Sequence, residues 1–214
     1  RIKRKMLKEI RAISKLNISM QSIRQGQAMG LGHAILCAKK IIGREPFAIV
    51  LPDMLISKKN GNAGDSLKEM KLNFEKNEIS SILLGKAKKE DIPKYGIAQI
   101  KKNSKFPGLG FVEKIIEKPS IKKAPSNLYA SGRYIFKNDF IKYLSEVKPD
   151  KSNEIQLTDA IGDYITDNNK VSAYLSEGRI FDCGANVGYI LANLDFAMKD
   201  PYIKDEIKNF LKTR

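Results

Sequence analysis

Apolar residues recur along the chain with two different periods, which predict alternating helices and strands. Residues 2–16 carry apolar side chains at helical spacing, residues 18–23 form a short strand-like run, and residues 33–42 return to helical spacing before Gly43. Residues 46–51 are almost wholly apolar, as in a buried parallel strand. This order predicts an α/β fold whose ligands bind at the carboxyl ends of the strands.

The alternation continues to residue 87 and then changes. A helix over residues 66–77, capped by Ser66, precedes a strand over residues 80–87. We expect the later strands to include a small antiparallel excursion beside a mixed, mainly parallel sheet flanked by helices. The remaining predicted strands are residues 95–100, 110–117, 128–136, 171–175 and 179–181, and the remaining predicted helices are residues 138–147, one near Thr158, 185–199 and 201–212.

Composition excludes several classes of protein. The 214 residues include 39 Lys plus Arg against 24 Asp plus Glu, a net charge of +15. Two cysteines and one histidine cannot form a four-ligand zinc site or a dense disulfide framework. Only eight of the cations are arginines, which favours an anionic small-molecule ligand over nucleic acid. No stretch approaches the ~20 apolar residues of a membrane span, so we expect a cytoplasmic protein with no membrane partner.

A glycine-bearing loop over residues 24–33 lies between a predicted strand and a predicted helix. It matches neither a P-loop nor a dinucleotide fingerprint. Its glycines are compatible with a tight turn or with a nucleotide lying close to the backbone. His33 begins the predicted helix, and because no Ser-His-Asp motif is present it is interpreted as a packing or hydrogen-bonding residue.

Carboxylates follow three of the predicted strands. Asp53 follows a buried strand and suits Mg²⁺, although it could equally cap a local turn. Glu117 and Lys118 pair a hydrogen-bond acceptor with a cation, which suits a sugar hydroxyl and a phosphate but also occurs as a surface ion pair. Asp182 offers a second carboxylate, and the neighbouring Cys183 is interpreted as a small core residue rather than a nucleophile.

Taken together, these motifs resemble the bacterial UTP-glucose-1-phosphate uridylyltransferases. The resemblance extends from the first helix to Tyr189, and its specificity comes from the joint order of short motifs. The resembling segments are Arg24-Gln25-Gly26 with Gly30-Leu31-Gly32-His33-Ala34, Leu51-Pro52-Asp53, Tyr95-Gly96, Val112-Glu113-Lys114, Glu117-Lys118-Pro119, Ala124-Pro125-Ser126-Asn127-Leu128, Gly132-Arg133-Tyr134, Glu154-Ile155-Gln156-Leu157-Thr158-Asp159-Ala160-Ile161 and Asp182-Cys183-Gly184.

The resemblance implies a Rossmann-like nucleotidyltransferase fold that makes UDP-glucose and pyrophosphate from UTP and glucose 1-phosphate with Mg²⁺. It places the nucleotidyltransferase domain in residues 1–199 and a C-terminal helix in residues 200–214, and it implies a homo-oligomer. The implied roles are uracil contact for Gln25 and Gly30, Mg²⁺ binding for Asp53 and also Asp182, sugar contact for Gly96, Gly132 and Glu117, and phosphate contact for Lys118, with Asp53 and Lys118 as the catalytic pair.

The chain also departs from the family's pattern. Ala185-Asn186-Val187 stands where many members carry a lysine, so we expect no phosphate contact there. The family's N-terminal glycine-rich segment is absent from these residues, which implies missing first βα units and no turnover by this chain alone. Two alternatives remain: a sister enzyme that uses dTTP or CTP, and a non-catalytic anion- or RNA-binding domain.

Overall fold

The computed structural model describes residues 7–8, 10–12, 14–16, 18–58, 62, 64–103, 106 and 108–213. Its strands are β1 (Phe47–Val50), β2 (Met54–Ser57), β3 (Ser80–Lys86), β4 (Ile97–Lys102), β5 (Gly110–Ile116), β6 (Leu128–Phe136), β7 (Val171–Leu175) and β8 (Arg179–Asp182). Its helices are α1 (Gly30–Cys37), α2 (Lys39–Ile42), α3 (Asp65–Asn77), α4 (Phe140–Glu146), α5 (Leu157–Thr166), α6 (Asn186–Ala197) and α7 (Lys204–Lys212), with a 3₁₀ helix over Lys89–Lys94.

Six of these strands form one mixed sheet in the order β1-β6-β3-β7-β5-β4. β3 and β7 are parallel, whereas β6 runs antiparallel to β1, β3 and β4. It follows that β1, β3, β4 and β7 all point the same way and that β5 and β6 point the opposite way, which gives the predicted mixed sheet. β6 lies inside the sheet and not beside it, because its nine residues are long enough to bond to three neighbouring strands.

Helices cover both faces of this sheet. Ile82 and Leu84 of β3 pack on one face against α4 and α5, where the rings of Phe136 and Phe140 stack 3.8 Å apart. Leu83, between them, packs on the other face with Met70 of α3. Successive strand residues point to opposite faces, so the apolar run in β3 is explained by burial on both sides.

The two strands predicted nearest the N-terminus differ from expectation. Residues 18–23 form no strand, because no described strand bonds to them and an unpaired strand is not stable. β1 does form, but it is not a buried parallel strand: it bonds only to β6, in antiparallel register, and only Ile49 is buried. Its apolar run therefore lies at an edge of the described sheet.

The helix predictions were mostly confirmed. Of the helix predicted over residues 2–16, residues 2–6, 9 and 13 lie outside the described residues, and residues 7–8, 10–12 and 14 are helical. α3 begins at Asp65 after Gly64, so the predicted Ser66 cap is wrong; Ser66 is buried in the first turn. None of the described helices combines the length and apolar character needed to cross a bilayer.

Candidate active site

The carboxylates of Asp53 and Asp182 converge beside a small two-stranded sheet. β2 and β8 pair antiparallel with Met54 opposite Asp182, which brings the turn containing Asp53 to the end of β8. The amide of Cys183 donates to the carbonyl of Asp53 at 2.8 Å. One carboxylate oxygen of Asp182 and one of Asp53 lie 3.1 and 3.4 Å from a single point, the place a Cβ would occupy on Gly184.

Arg133 and Tyr95 hold this pair of carboxylates in place. The Arg133 guanidinium, from β6, donates to the carbonyls of Leu51 and Met54 at 2.9 and 2.8 Å and so spans the Asp53 turn. Burial lowers the pKa of Arg133, and the charge of Asp53 opposes that effect. The Tyr95 hydroxyl donates to Asp182 at 2.9 Å, and its burial and this hydrogen bond raise the tyrosine pKa.

Glu117 belongs to a second group of residues, adjacent to the first. Its Oε2 accepts a 2.9 Å hydrogen bond from the buried hydroxyl of Thr158, at the start of α5. A Cβ on Gly96 would lie 3.1 Å from the same oxygen and 2.5 Å from the Thr158 methyl group, so only glycine fits there. Burial raises the pKa of Glu117, and the Thr158 hydrogen bond and Lys118 partly offset it.

Lys118 is exposed, whereas Gly132 is buried. The Lys118 side chain is 55% exposed, with its Nζ 3.8 Å from Glu117 and its backbone at φ 42°, so the ammonium can reach a ligand in solvent. Gly132 is buried against Leu51, with φ 75°. It therefore lies with the Asp53 turn and not with Gly96, although the sequence grouped both glycines as sugar contacts.

The glycine-bearing loop packs against residues that follow Asp150. Gly32 donates to the carbonyl of Ile155 and Ile155 donates to the carbonyl of Met29, both at 2.9 Å. Gly30 has φ 81°, and a Cβ there would lie 2.9 Å from the Cβ of Glu154. The loop therefore forms a tight turn. It also has a close neighbour at Gly30, but that neighbour is residues 154–155 of this chain and not a nucleotide.

Gln25 reaches back over this loop. Its Nε2 donates to the Gly30 carbonyl at 3.1 Å and lies 2.9 Å from Nδ1 of His33. The sequence-based interpretation of His33 as a hydrogen-bonding residue is therefore supported. Glu154 and Ile155 contact this loop, and Thr158, three residues further along, donates to Glu117, so the loop lies beside the Glu117 group.

Asp53 and Asp182 form the set of side chains that best suits a divalent cation. Within the described ranges no group of three or more His, Cys, Asp or Glu side chains is arranged to hold a metal. Mg²⁺ is commonly bound by one or two carboxylates together with water and substrate phosphates. Two converging carboxylates fit that pattern, and they fit zinc or a closed calcium site poorly.

The sequence reasoning gave no roles to Arg133, Tyr95 and Thr158. All three stood inside quoted motifs, but their partners are distant along the chain: the Tyr95–Asp182 hydrogen bond joins residues 87 positions apart. A signal was available for Thr158, since it lies in the same quoted segment as Glu154 and in the first turn of a helix. No local pattern indicated the contacts of the Arg133 guanidinium.

Comparison with known proteins places this geometry in a family. Residues 1–199 match the family described as nucleotidyl transferase. The chain is 36% identical over 214 residues to the UTP-glucose-1-phosphate uridylyltransferase of Haemophilus ducreyi, covering 99% of this chain and 72% of that protein. It is 35% identical over 214 residues to the Escherichia coli enzyme of the same name, covering 99% and 70%.

Solved structures give the same result. A UDP-glucose pyrophosphorylase complexed with UDP-glucose superposes with a TM-score of 0.84 at 36% identity, covering 92% of this chain and 73% of that one. The UTP-bound UGPase of Acinetobacter baumannii gives 0.81 at 33% identity, covering 98% and 70%. Nucleotidyltransferases generally use a divalent metal ion. The chain belongs to the nucleotidyl transferase family and, within it, to the UTP-glucose-1-phosphate uridylyltransferases.

Proposed function

We infer that this chain transfers a uridylyl group from UTP to glucose 1-phosphate, giving UDP-glucose and pyrophosphate. The observation that carries this inference is the convergence of Asp53 and Asp182 beside the Glu117–Lys118 pair. That edge combines acceptors for a divalent cation, an acceptor for a sugar hydroxyl and an exposed ammonium for phosphate. Relatives with 35–36% identity carry this activity in their names.

The chemistry requires positioning rather than a protein nucleophile. A phosphate oxygen of glucose 1-phosphate forms a bond to the α-phosphorus of UTP in line, and the bond to the pyrophosphate oxygen breaks. Asp53 and Asp182 would hold Mg²⁺, which neutralises phosphate charge when bound. Lys118 opposes charge on the phosphates, and Glu117, fixed by Thr158, accepts from the glucose hydroxyls.

The base and sugar contacts complete the assignment. We propose that Gln25 and Gly30 contact uracil, because the amide of Gln25 lies over the loop at the Glu154 end of this edge. Gly96, which we propose lies at the sugar, allows the Thr158 methyl group and the Glu117 carboxylate to approach the backbone closely. Gly132 serves the sugar region more indirectly, because it allows Leu51 and the Asp53 turn to approach β6.

The direct test is pyrophosphate release from UTP and glucose 1-phosphate with Mg²⁺. We would assay the 214-residue chain alone and the same chain joined to the part of the Haemophilus ducreyi relative that it does not cover. The family resemblance leads us to expect turnover only in the second form, and chelation of Mg²⁺ should abolish it. Absence of turnover in both forms would refute the proposed function. Faster turnover with dTTP or CTP would support a sister enzyme instead.

A second copy of the chain is the partner that we propose. α6, α7 and the turn between them expose a group of large apolar side chains: Val187, Tyr189, Ile190, Phe196, Tyr202, Phe210 and Leu211. Residues 186–213 carry four acidic and four basic side chains, so this surface is neutral although the whole chain has a net charge of +15. Repulsion between two copies of the chain is therefore weakest when they meet through this surface. Light scattering should show a homo-oligomer that Ile190→Glu dissociates, and a monomer at all concentrations would contradict it.

A further inference from the structure

The orientation of the Gln25 side-chain amide is fixed by an atom that can only accept hydrogen bonds. Its terminal nitrogen faces the backbone carbonyl of Gly30 at 3.1 Å. A carbonyl has no proton to donate, so the NH₂ group and not the oxygen must point to it. The assignment of nitrogen and oxygen in this amide therefore follows from chemistry, and Oε1 points to the other side.

The same nitrogen determines the protonation of His33. Nδ1 of the ring lies 2.9 Å from Nε2 of Gln25, which has a second proton to donate. Nδ1 must then accept, so the ring proton resides on Nε2. The Cys37 sulfur lies 3.9 Å from Nδ1 and 4.0 Å from Nε2 of His33, near the outer limit for a hydrogen bond to sulfur, so it does not distinguish the two ring nitrogens. Both protons of the Gln25 amide are thereby used within the chain.

We propose that His33 is a specificity-determining positioning residue, which holds Gln25 so that only its oxygen faces the nucleotide base. This inference rests on the proposed uracil contact of Gln25. An acceptor complements the N3–H of uracil or thymine, whereas N3 of cytosine has no proton and would face the oxygen with a second acceptor. By fixing the orientation of Gln25, His33 thus favours uracil and thymine over cytosine, without touching the base itself.

Two substitutions of the same chemical type separate this role from simple packing. In His33→Asn, the amide oxygen can occupy the position of Nδ1 and accept the Gln25 proton in its place. In His33→Gln, the side chain is one carbon longer, so its amide lies near the position of Nε2 and leaves the Gln25 proton without an acceptor. We expect His33→Asn to retain the preference for UTP over CTP in equilibrium binding. His33→Gln should lower that preference about tenfold, the usual effect of one lost hydrogen bond.

The affinity for glucose 1-phosphate should be unchanged in both His33 variants. Equal UTP-to-CTP ratios in His33→Asn, His33→Gln and the parent chain would overturn the proposal. So would a parallel loss of affinity for both nucleotides and for the sugar phosphate, since that is the result of a structural role alone.

Nuclear magnetic resonance tests the same geometry without any activity. The chain has a single histidine, so its ring nitrogens give one unambiguous pair of ¹⁵N signals. We expect an unprotonated Nδ1 and a protonated Nε2 at neutral pH, with the Nδ1 signal shifting in Gln25→Ala. A proton on Nδ1, or no shift in Gln25→Ala, would overturn the proposal. Nucleotide binding is measured in the extended form used for the turnover assay. If that form binds no nucleotide while the spectrum is as expected, the proposed function fails and the positioning of Gln25 stands.

Discussion

Asp53 and Glu117 are both carboxylates at the same edge of the molecule, but their surroundings differ. Asp53 is exposed at a turn, where solvent stabilises its charge, whereas Glu117 is 23% exposed and its pKa is raised by burial. An exposed carboxylate is available to a cation at little cost. A buried carboxylate is held in one orientation at the expense of stability, which is typical of a binding residue. The two residues therefore call for different tests.

Asp53→Asn should lower turnover by about a hundredfold or more at limiting Mg²⁺, because it replaces a charged ligand with a neutral one. The fold should be unaffected, since the side chain is exposed and the change is isosteric. Steady-state kinetics across a range of Mg²⁺ concentrations, together with thermal unfolding, measure both effects. Asp205→Asn, an exposed carboxylate on α7, is the matched control and should change neither. Near-normal turnover of Asp53→Asn would exclude the metal role.

Glu117→Gln should make the protein more stable at neutral pH. Because the pKa of Glu117 is higher in the folded chain than in the unfolded chain, ionisation costs stability as the pH rises through that interval. The glutamine variant lacks this cost, so its free energy of unfolding should exceed that of the parent chain at pH 7. The difference should shrink below about pH 4, where the glutamate of the parent chain is protonated and therefore neutral, like the glutamine. Urea unfolding at the two pH values measures it, and lower stability at pH 7 would contradict the prediction.

Substitutions of Glu117 and of Lys118 should have different effects on the selection of the sugar. Glu117→Gln should mainly impair discrimination among hexose 1-phosphates, because it weakens an acceptor for hydroxyl groups. Lys118→Met should reduce turnover with every sugar, because it removes a charge that opposes the phosphates. Turnover measured with a panel of hexose 1-phosphates distinguishes the two. Identical sugar profiles would show that the assignment is wrong.

At the scale of elements, most of this architecture was predictable from the sequence. The apolar runs of β3 and β6 and the spacing of α5 fix those elements locally, because burial imposes a period of two or of 3.6 residues. The strand predicted over residues 18–23 failed because a strand requires a bonded neighbour, which the sequence cannot show. The antiparallel position of β6 between β1 and β3 depends on long-range pairing for the same reason.

The candidate site was predictable only in part, and on the same grounds. Asp53, Glu117 and Asp182 each follow or end a strand, a local feature that the sequence displays. The residues that orient them come from other elements: Arg133 from β6 and Thr158 from α5. Register and side-chain direction across the fold decide these contacts. The proposed ligand residues were therefore foreseeable, and the residues that hold them were not.

Arg133 connects β6 to the turn between β1 and β2, and its removal should loosen the Asp53 ligand without deleting it. We expect Arg133→Met to reduce turnover by about 10- to 100-fold, as is usual when a group that orients a metal ligand is lost. Raising the Mg²⁺ concentration should restore much of this loss, which it should not do in Asp53→Asn. Arg133→Lys should rescue poorly, because one ammonium cannot span carbonyls at both Leu51 and Met54. Loss that is independent of Mg²⁺ would contradict this role.

At the scale of the whole molecule, apolar surface is concentrated at two places. One is the α6–α7 surface, which we assign to a second copy. The other is the outer edge of β1, where Val50 is 50% exposed. Met20 and Ile18, which precede α1, are also exposed, at 90% and 68%. A strand edge of this kind presents unpaired backbone groups as well as apolar side chains, and it readily pairs with other chains.

We therefore expect the 214-residue chain, taken by itself, to aggregate through the β1 edge. A lysine in an edge strand opposes such pairing, because addition of a further strand would bury its charge. Val50→Lys should slow aggregation, followed by light scattering over time, without lowering the thermal unfolding temperature, since the Val50 side chain is half exposed. Leu72→Lys is the matched control: Leu72 on α3 is similarly exposed, at 56%, but a helix has no unpaired edge. Equal slowing by both variants would show that net charge and not the β1 edge controls aggregation. If Val50→Lys does not slow aggregation, the chains associate through another surface, for which the α6–α7 surface is the candidate.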